Sequence, residues 1–381
     1  MMAAQVTNYQ CPACTGPLHF VGESGKLECD YCGKTYDVAE IEKLYQEKEK
    51  AAVEAQAKAE KRSDEEKAWD VAAAGGEWGE DAEKMKAYTC PSCGAQLICD
   101  ETTAATSCPY CGNPTVVPGQ FGGTLRPDYV LPFKLSKEDA IKALKAHYKG
   151  KILLPKVFST QNHIEEIKGV YVPFWLFDGQ ADVNMNFEAT NSTVYQDGDY
   201  RVTETQHYQV HRAGNIAFEK VPVDGSSKMP DDFMDSIEPY DYGELKEFST
   251  AYLPGFLADK YDVDAKAASK RADQRCINTA AQSIRDTVVG YESVQTLQQD
   301  VRLERGNVRY ALMPVWMLST KWKDKNYLFA MNGQTGKLVG DLPADKGKLR
   351  LWFWGTLVAA SALLSVLLSG PLGRMIAQWL E

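Results

Sequence analysis

The chain has 381 residues, 44% of them hydrophobic, which excludes a disordered protein and leaves room for two or three domains. Its formal net charge of −10 repels phosphate backbones at long range, so a nucleic-acid role would need a local basic patch. The N-terminal residues contain neither the basic nor the apolar segment of an export signal. The amino-terminal part is therefore expected in the cytosol.

Eight of the ten cysteines fall in four C-x-x-C pairs, which in a reducing compartment favours metal binding over disulfides. The pairs form a repeat at an offset of 79 residues, with fourteen residues between the two pairs of each copy. Two such turns joined by a short hairpin can place four thiolates around one ion. The sequence predicts two zinc ribbons, 9–38 and 88–119. Their predicted metal ligands are Cys11, Cys14, Cys29 and Cys32, and Cys90, Cys93, Cys108 and Cys111.

Four thiolates leave no coordination position for water, so two structural Zn²⁺ ions are predicted rather than hydrolytic ones. Rubredoxin-like iron is the alternative, and the short interval between the pairs favours zinc. The remaining thiols, Cys99 and Cys276, are interpreted as buried packing residues. His19 is interpreted as a surface residue. His207 and His211 are interpreted as solvent-facing, because strand residues four apart lie about 13 Å apart, too far to share one ion.

Residues 39–87, between the ribbons, are rich in strong helix formers of mixed charge. They predict a charged helical linker, because their few apolar residues do not sustain the heptads of a coiled coil. From 127 to 345, strand and helix patterns alternate. The predicted fold class is therefore α+β, with a mixed globular domain after the two ribbons.

A second, weaker repeat lies within the globular domain. Leu131-Pro132 and Leu253-Pro254 each precede a helix pattern, and the segment VPFWL at 172–176 resembles MPVWM at 313–317. An internal duplication is one interpretation, and coincidence is the other.

Residues 351–370 carry no charge over a length sufficient to cross a hydrocarbon core. Lys346, Lys348 and Arg350 precede this segment, which by the positive-inside tendency puts everything before it in the cytoplasm. The sequence thus predicts one transmembrane helix in the inner membrane, cytoplasmic N-terminal domains, the lipid bilayer as a partner and a short external tail, 371–381. A buried core helix is the alternative.

The ribbons are poor candidates for nucleic-acid binding. The second has no Lys or Arg between Cys90 and Val117, whereas tight phosphate binding needs several cationic contacts. Protein binding is therefore the favoured function, and a membrane-tethered nucleic-acid-binding protein is the alternative. Gly33-Lys34-Thr35 lacks the earlier glycine of a phosphate-cradling loop, and no nucleophile elbow occurs. No enzymatic activity is predicted.

The paired ribbons, the segments VPFWLF (172–177) and PVWML (314–318), the motif NGQTGK (332–337) and the terminal apolar segment together carry a resemblance. They resemble the membrane-anchored TFIIB-type zinc-ribbon proteins of Bacillus and related bacteria. The resemblance implies a non-catalytic membrane adaptor. It also implies protein partners similar to phage-shock protein A or containing an SPFH domain, with envelope stress as the hypothetical setting.

Overall fold

The computed structural model describes residues 9, 11–13, 18–22, 24–30, 32–60, 68–103, 107–114, 116–119, 121–122, 124–155, 164–323 and 325–369. The chain divides into two compact units. The first comprises Met1–Ala73, Leu176–Val223 and Ser269–Val308, and the second Ala74–Trp175, Asp224–Ala268 and Arg309–Glu381. Both helices and sheets are present, which confirms the predicted α+β class.

The described α-helices are α1 (Val38–Glu60), α2 (Lys137–Tyr148), α3 (Asp231–Ser236), α4 (Ala265–Arg285) and α5 (Lys346–Ser369). Short 3₁₀ helices cover Gly79–Lys84, Ile164–Glu166, Tyr242–Glu244 and Thr250–Tyr252. The start of α2 is fixed by a capping box. The Ser136 hydroxyl accepts from the Asp139 amide at 3.2 Å, and the Asp139 carboxylate accepts from the Ser136 amide at 3.1 Å.

The strands are β1 (Leu18–Val21), β2 (Lys26–Cys29), β3 (Thr35–Asp37), β4 (Met85–Thr89), β5 (Gln96–Asp100), β6 (Val117–Gly119), β7 (Tyr129–Val130), β8 (Lys168–Asp197), β9 (Tyr200–Asp224), β10 (Lys246–Glu247), β11 (Leu257–Asp259), β12 (Ser293–Trp322), β13 (Lys325–Asn332) and β14 (Leu338–Gly340). The first three form a separate sheet. The others follow the order β10-β7-β12-β8-β11-β5-β4-β6, with β13 and β14 attached through β12 and β9 through β8.

In the first unit, helix α4 packs on one face of the long strands. Alternate residues of β8, from Ala181 to Ala189, are buried with Ala280 and Ile284 of α4. This period of two is what a strand with one covered face requires. The other face carries polar pairs, including His207 with Glu188 at 3.0 Å and His211 with Asn184 at 2.7 Å.

The predicted linker, 39–87, contains α1 but does not continue as one helix in its described part. Trp69 instead packs edge-on against Phe177, with ring centroids 5.0 Å apart, and donates to Asp273 at 2.8 Å. Arg305 donates to both oxygens of the same carboxylate, at 3.0 and 2.9 Å. The part of the linker around Trp69 is thus anchored in the first unit.

In the second unit, the two tryptophan segments make matching hydrogen bonds. Trp175 donates to the carbonyl of Val263 at 2.9 Å, and Trp316 donates to that of Leu135 at 3.1 Å. Each acceptor lies two residues before the start of a helix, Val263 before α4 and Leu135 before α2. These equivalent contacts support the internal duplication, which stays a prediction.

The motif NGQTGK forms the turn between the antiparallel strands β13 and β14. Asn332 is fully buried and donates to the carbonyl of Ile237 at 2.9 Å, while its own oxygen accepts from Gln334 and Thr335. Gly336 adopts φ +80°, which a residue with a side chain rarely tolerates. The motif is therefore a satisfied polar core and a tight turn.

The prediction of a transmembrane helix is wrong for the described chain. Helix α5 starts at Lys346, so its first turns carry Lys346, Lys348 and Arg350, and Thr356 and Ser361 interrupt the apolar run that follows. Among the residues that the structure describes, no helix has both the length and the apolarity needed to cross a membrane. This contradicts the predicted single-pass localisation in the inner membrane with cytoplasmic N-terminal domains. Freedom from charge is a weaker criterion than sustained apolarity. The predicted tail, 371–381, lies outside the described residues.

Candidate metal centres

The second ribbon brings its four predicted ligands together. The sulfur atoms of Cys90, Cys93, Cys108 and Cys111 all lie within 4.8 Å of one another. The Cys90–Cys111 and Cys93–Cys108 sulfur pairs are each 3.6 Å apart. A tetrahedral ion with metal–sulfur bonds of about 2.3 Å would separate its ligands by about 3.8 Å, whereas a disulfide needs about 2.05 Å. The four free thiols could therefore hold one metal ion.

The local sequence explains why each C-x-x-C pair folds into this turn. The amide of Gly94 donates to the carbonyl of Cys90 at 2.9 Å, and that of Gly112 to Cys108 at 3.1 Å. Both glycines adopt left-handed backbone conformations, with φ of +72° and +69°. A glycine after the second cysteine lets the turn close without strain, and the two thiols then point to one side.

The electrostatics of the second centre favour a bound cation. Burial disfavours the thiolate of Cys90. Hydrogen bonds from the amides of Cys93 and Ser92 have a larger combined effect than burial and lower the pKa of Cys90 to about 7. Burial raises the pKa of Cys108 well above its ordinary value. A buried cluster of thiols thus ionises fully only when a positive charge compensates it.

The first ribbon has a matching but partly described cluster. The sulfur atoms of Cys11, Cys29 and Cys32 lie within 4.8 Å of one another. The Cys11 and Cys32 sulfur atoms are 3.6 Å apart, the same distance as between the aligned Cys90 and Cys111. The fourth predicted ligand, Cys14, lies outside the described residues. Cys11 and Cys29 are buried, whereas Cys32 is exposed. These three thiols could hold a second metal ion.

The two ribbons differ in the strand that completes them. In the first ribbon, β1 pairs with β2, with Leu18 opposite Cys29. Leu97 corresponds to Leu18 by the repeat, and its strand β5 pairs instead with β11, with Leu97 opposite Asp259. Both pairings are antiparallel, so β11 takes the place in the second ribbon that β2 has in the first. The second ribbon is consequently part of the large sheet.

On their other edge, β1 and β5 have equivalent neighbours in the two ribbons. The amide of Leu18 donates to the carbonyl of Tyr9 at 2.9 Å, and Leu97 lies opposite Tyr88 in β4. Tyr88 corresponds to Tyr9 by the 79-residue offset. The two ribbons therefore differ only at one edge of this strand, where β2 lies beside β1 and β11 lies beside β5.

Other residues singled out from the sequence lie where expected. Cys99 is fully buried in β5 and donates to the carbonyl of Thr103 at 3.0 Å, and Cys276 is buried in α4. His19 is exposed beside Asp30, with the two side chains 2.6 Å apart. His207 and His211 are exposed on β9. None of these residues joins either cysteine cluster.

Two residues near the second centre had no signal in the sequence. Lys168 donates to the carbonyl of Ser107 at 2.7 Å, next to a predicted ligand but 61 positions away in the chain. Asp259 is buried, accepts from Ser226 at 2.6 Å, and faces Leu97 across the strand pair. Burial raises the pKa of Asp259 to about 7. Both residues reach the second centre through contacts between segments that are distant in the chain.

Comparison with known proteins found one relative of nearly full length. No protein-family model matches the chain. No solved structure matches it either. The uncharacterized protein YdjG of Bacillus subtilis (strain 168) is 35% identical over 350 residues, which cover 92% of this chain and 94% of YdjG. At that identity and coverage, the chain belongs to the same protein family as Bacillus subtilis YdjG.

Proposed function

We propose that this protein is a non-catalytic adaptor that binds two structural Zn²⁺ ions and recruits protein partners. The observation that carries the proposal is the second cluster, in which four thiols stand at the spacing of a tetrahedral metal site. Four sulfur ligands would leave no open position for a substrate or water. Such a site stabilises a fold and does not perform hydrolysis.

Zinc is proposed over iron for both centres. Each centre belongs to a short ribbon, and structural zinc sites with four cysteines are typical of ribbons. Sulfur spacing alone does not distinguish the two metals, because availability decides much of metal selection. Metal analysis of the purified full chain should return about two zinc ions per chain, because each closed site takes one ion. One ion, or a red iron chromophore, would contradict this assignment.

The first ribbon is proposed as the surface that binds a partner. Phe20 is 60% exposed there, whereas the aligned residue of the second ribbon, Cys99, is fully buried. The nearby ammonium group of Lys26 lies 3.4 Å from the carboxylate of Asp37. Exposed apolar area flanked by neutralised charge suits a protein partner better than a phosphate backbone.

The resemblance noted in the sequence provides the candidate partners. They are proteins similar to phage-shock protein A and SPFH-domain proteins. The test uses the purified full chain with zinc bound, and one purified protein of each class from the same organism, in a direct binding measurement. We expect one of the two to bind, and removal of zinc with a chelator to weaken that binding at least about tenfold, since small ribbons depend on their metal to fold.

A matched pair of variants locates the contact. Phe20→Ser removes an exposed aromatic side chain from the first ribbon, and Val117→Ser removes a 49% exposed apolar side chain from the second. Phe20→Ser should weaken binding about tenfold or more, as expected for an aromatic interface residue, and Val117→Ser should have little effect. Equal effects, or no binding by either candidate partner, would contradict the adaptor proposal.

A further inference from the structure

Lys168 connects the start of strand β8 to the second metal centre. It is the first residue of β8, and its ammonium group donates to both the carbonyl, at 2.7 Å, and the hydroxyl of Ser107. Ser107 immediately precedes Cys108. The side chain thus holds the loop that presents the third ligand.

The same lysine faces a cavity beside the centre. The cavity has a volume of about 430 Å³, and Cys108, Lys137, Glu166 and Lys168 contribute to its lining. Lys168 interacts electrostatically with both Cys108 and Glu166. A divalent ion bound by four thiolates keeps two surplus negative charges, so a cation at this position is stabilised by the centre and stabilises it in turn.

The described residues of the first ribbon show no equivalent arrangement at the aligned position. Glu28 stands there in place of Ser107 and immediately precedes Cys29. A carboxylate beside a thiolate centre adds negative charge, whereas the lysine beside the second centre offsets it. The two centres therefore differ in their electrostatic surroundings although their ligand spacing is the same.

We propose that Lys168 is a positioning residue for the second metal centre, which it stabilises by fixing the Ser107–Cys108 loop and by offsetting the charge of the thiolates. The inference rests on the proposed function, because it requires a metal ion at this centre. A group outside the ligand set that orients and electrostatically supports its ligands commonly changes metal affinity by about 10- to 100-fold.

The test uses the full chain with the substitution Cys29→Ser, so that only the second centre keeps four thiols. This chain is loaded with Co²⁺ as a spectroscopic probe. Lys168→Met removes the charge and the hydrogen bonds, and Lys168→Arg retains a cationic donor. Lys137→Met is the matched control, because it removes a lysine from the same cavity. Among the described residues, the Lys137 side chain makes no hydrogen bond to the loop, whereas the Lys168 side chain makes two.

Lys168→Met should release Co²⁺ to a chelator about tenfold faster and shift the thiolate-to-cobalt charge-transfer band, and Lys168→Arg should restore most of the loss. Lys137→Met should stay within about twofold of the unsubstituted chain, as expected when no ligand-bearing loop is released. If Lys168→Met does not fold, Lys168→Gln, which keeps a donor without the charge, provides the comparison.

The outcomes separate the two proposals. A four-thiolate cobalt spectrum with equal release from the Lys168→Met and Lys137→Met chains would support metal binding and overturn the role of Lys168. Unchanged release from Lys168→Gln would overturn the charge-offset part of that role. Failure of the Cys29→Ser chain to give a four-thiolate cobalt spectrum would overturn the proposed function and this inference together.

Discussion

The two ribbons share a ligand pattern but use it differently. The first forms its own three-stranded sheet, β1-β2-β3, and buries Ile41 of α1 beside it. The second is completed by β11, a strand that lies about 160 residues further along the chain than β5 and also pairs with β8. A local motif thus determines how four cysteines meet, but long-range pairing determines whether the ribbon is a separate module or part of a larger core.

The largest expected difference concerns loss of a single ligand. Cys90→Ser should remove one zinc and destabilise the whole second unit, lowering its melting midpoint by roughly 10 °C or more. Structural zinc provides about 10–16 kcal/mol in small ribbons, which matches the whole stability of a typical domain. Cys29→Ser should remove one zinc and leave the main transition within about 3 °C, because β1–β3 form a separate sheet. Equal losses in calorimetry would contradict this difference.

A smaller difference should appear at the aligned leucines. Leu97 is fully buried, so Leu97→Ala should cost about 2–5 kcal/mol through lost contacts and a cavity. Leu18 is only partly buried, and Leu18→Ala should cost roughly 1 kcal/mol or less in the same measurement. Denaturant unfolding of the zinc-loaded chains, followed by fluorescence, checks both values. A ratio near one would show that the two ribbons are equally embedded.

The pH dependence of stability provides another test of the difference between the ribbons. Asp259 lies opposite Leu97 in the second ribbon, whereas Cys29 lies opposite Leu18 in the first. Burial raises the folded-state pKa of Asp259 from 3.8 to about 7, so the folded chain holds a proton that the unfolded chain has released. Stability therefore falls as pH rises between these values, and this group should remove about 1 kcal/mol between pH 6 and pH 8.

The Asp259→Asn variant isolates that contribution. The neutral amide cannot ionise, so the variant should lose this part of the pH dependence and gain stability relative to the unsubstituted chain at pH 8. Unfolding at several pH values from 6 to 8, with zinc content checked at each, measures the difference. An identical slope in both chains would show that Asp259 does not titrate in this range.

The smallest expected effect is at Phe20. Its side chain is 60% exposed, so Phe20→Ser should change the free energy of unfolding by no more than about 0.5 kcal/mol. This separates a binding role from a structural one, because the same substitution is expected to weaken partner binding. A loss of several kcal/mol would instead place Phe20 in the core of the first ribbon.

The part of the site that could be predicted from the sequence is the local part. Cysteine spacing and the following glycine fix three of the four predicted metal-binding turns within five residues, as at Cys108–Gly112, so no distant contact is needed there. The α+β class followed from strand and helix patterns for a similar reason. The turn at NGQTGK was recognisable because glycine marks its left-handed residue.

The remainder depends on contacts between distant segments. Nothing in the short strand β11 indicates that it pairs with β5, and nothing around Lys168 indicates a neighbour near Cys108. The prediction of a transmembrane helix in the C-terminal segment was wrong for another reason. The segment's lack of charge suggested a membrane span, but no helix in the described part of the chain satisfies both length and apolarity.

Stepwise removal of zinc, followed by hydrogen exchange of the full chain, tests the central difference between the ribbons most directly. We predict that the first zinc released leaves the amides of β5, β8 and β11 protected while those of β1 and β2 become exchangeable. Release of the second zinc should then abolish protection across β5 and β11, because one sheet contains both strands. Simultaneous loss of protection in both ribbons, or loss in β5 before β1, would contradict the account.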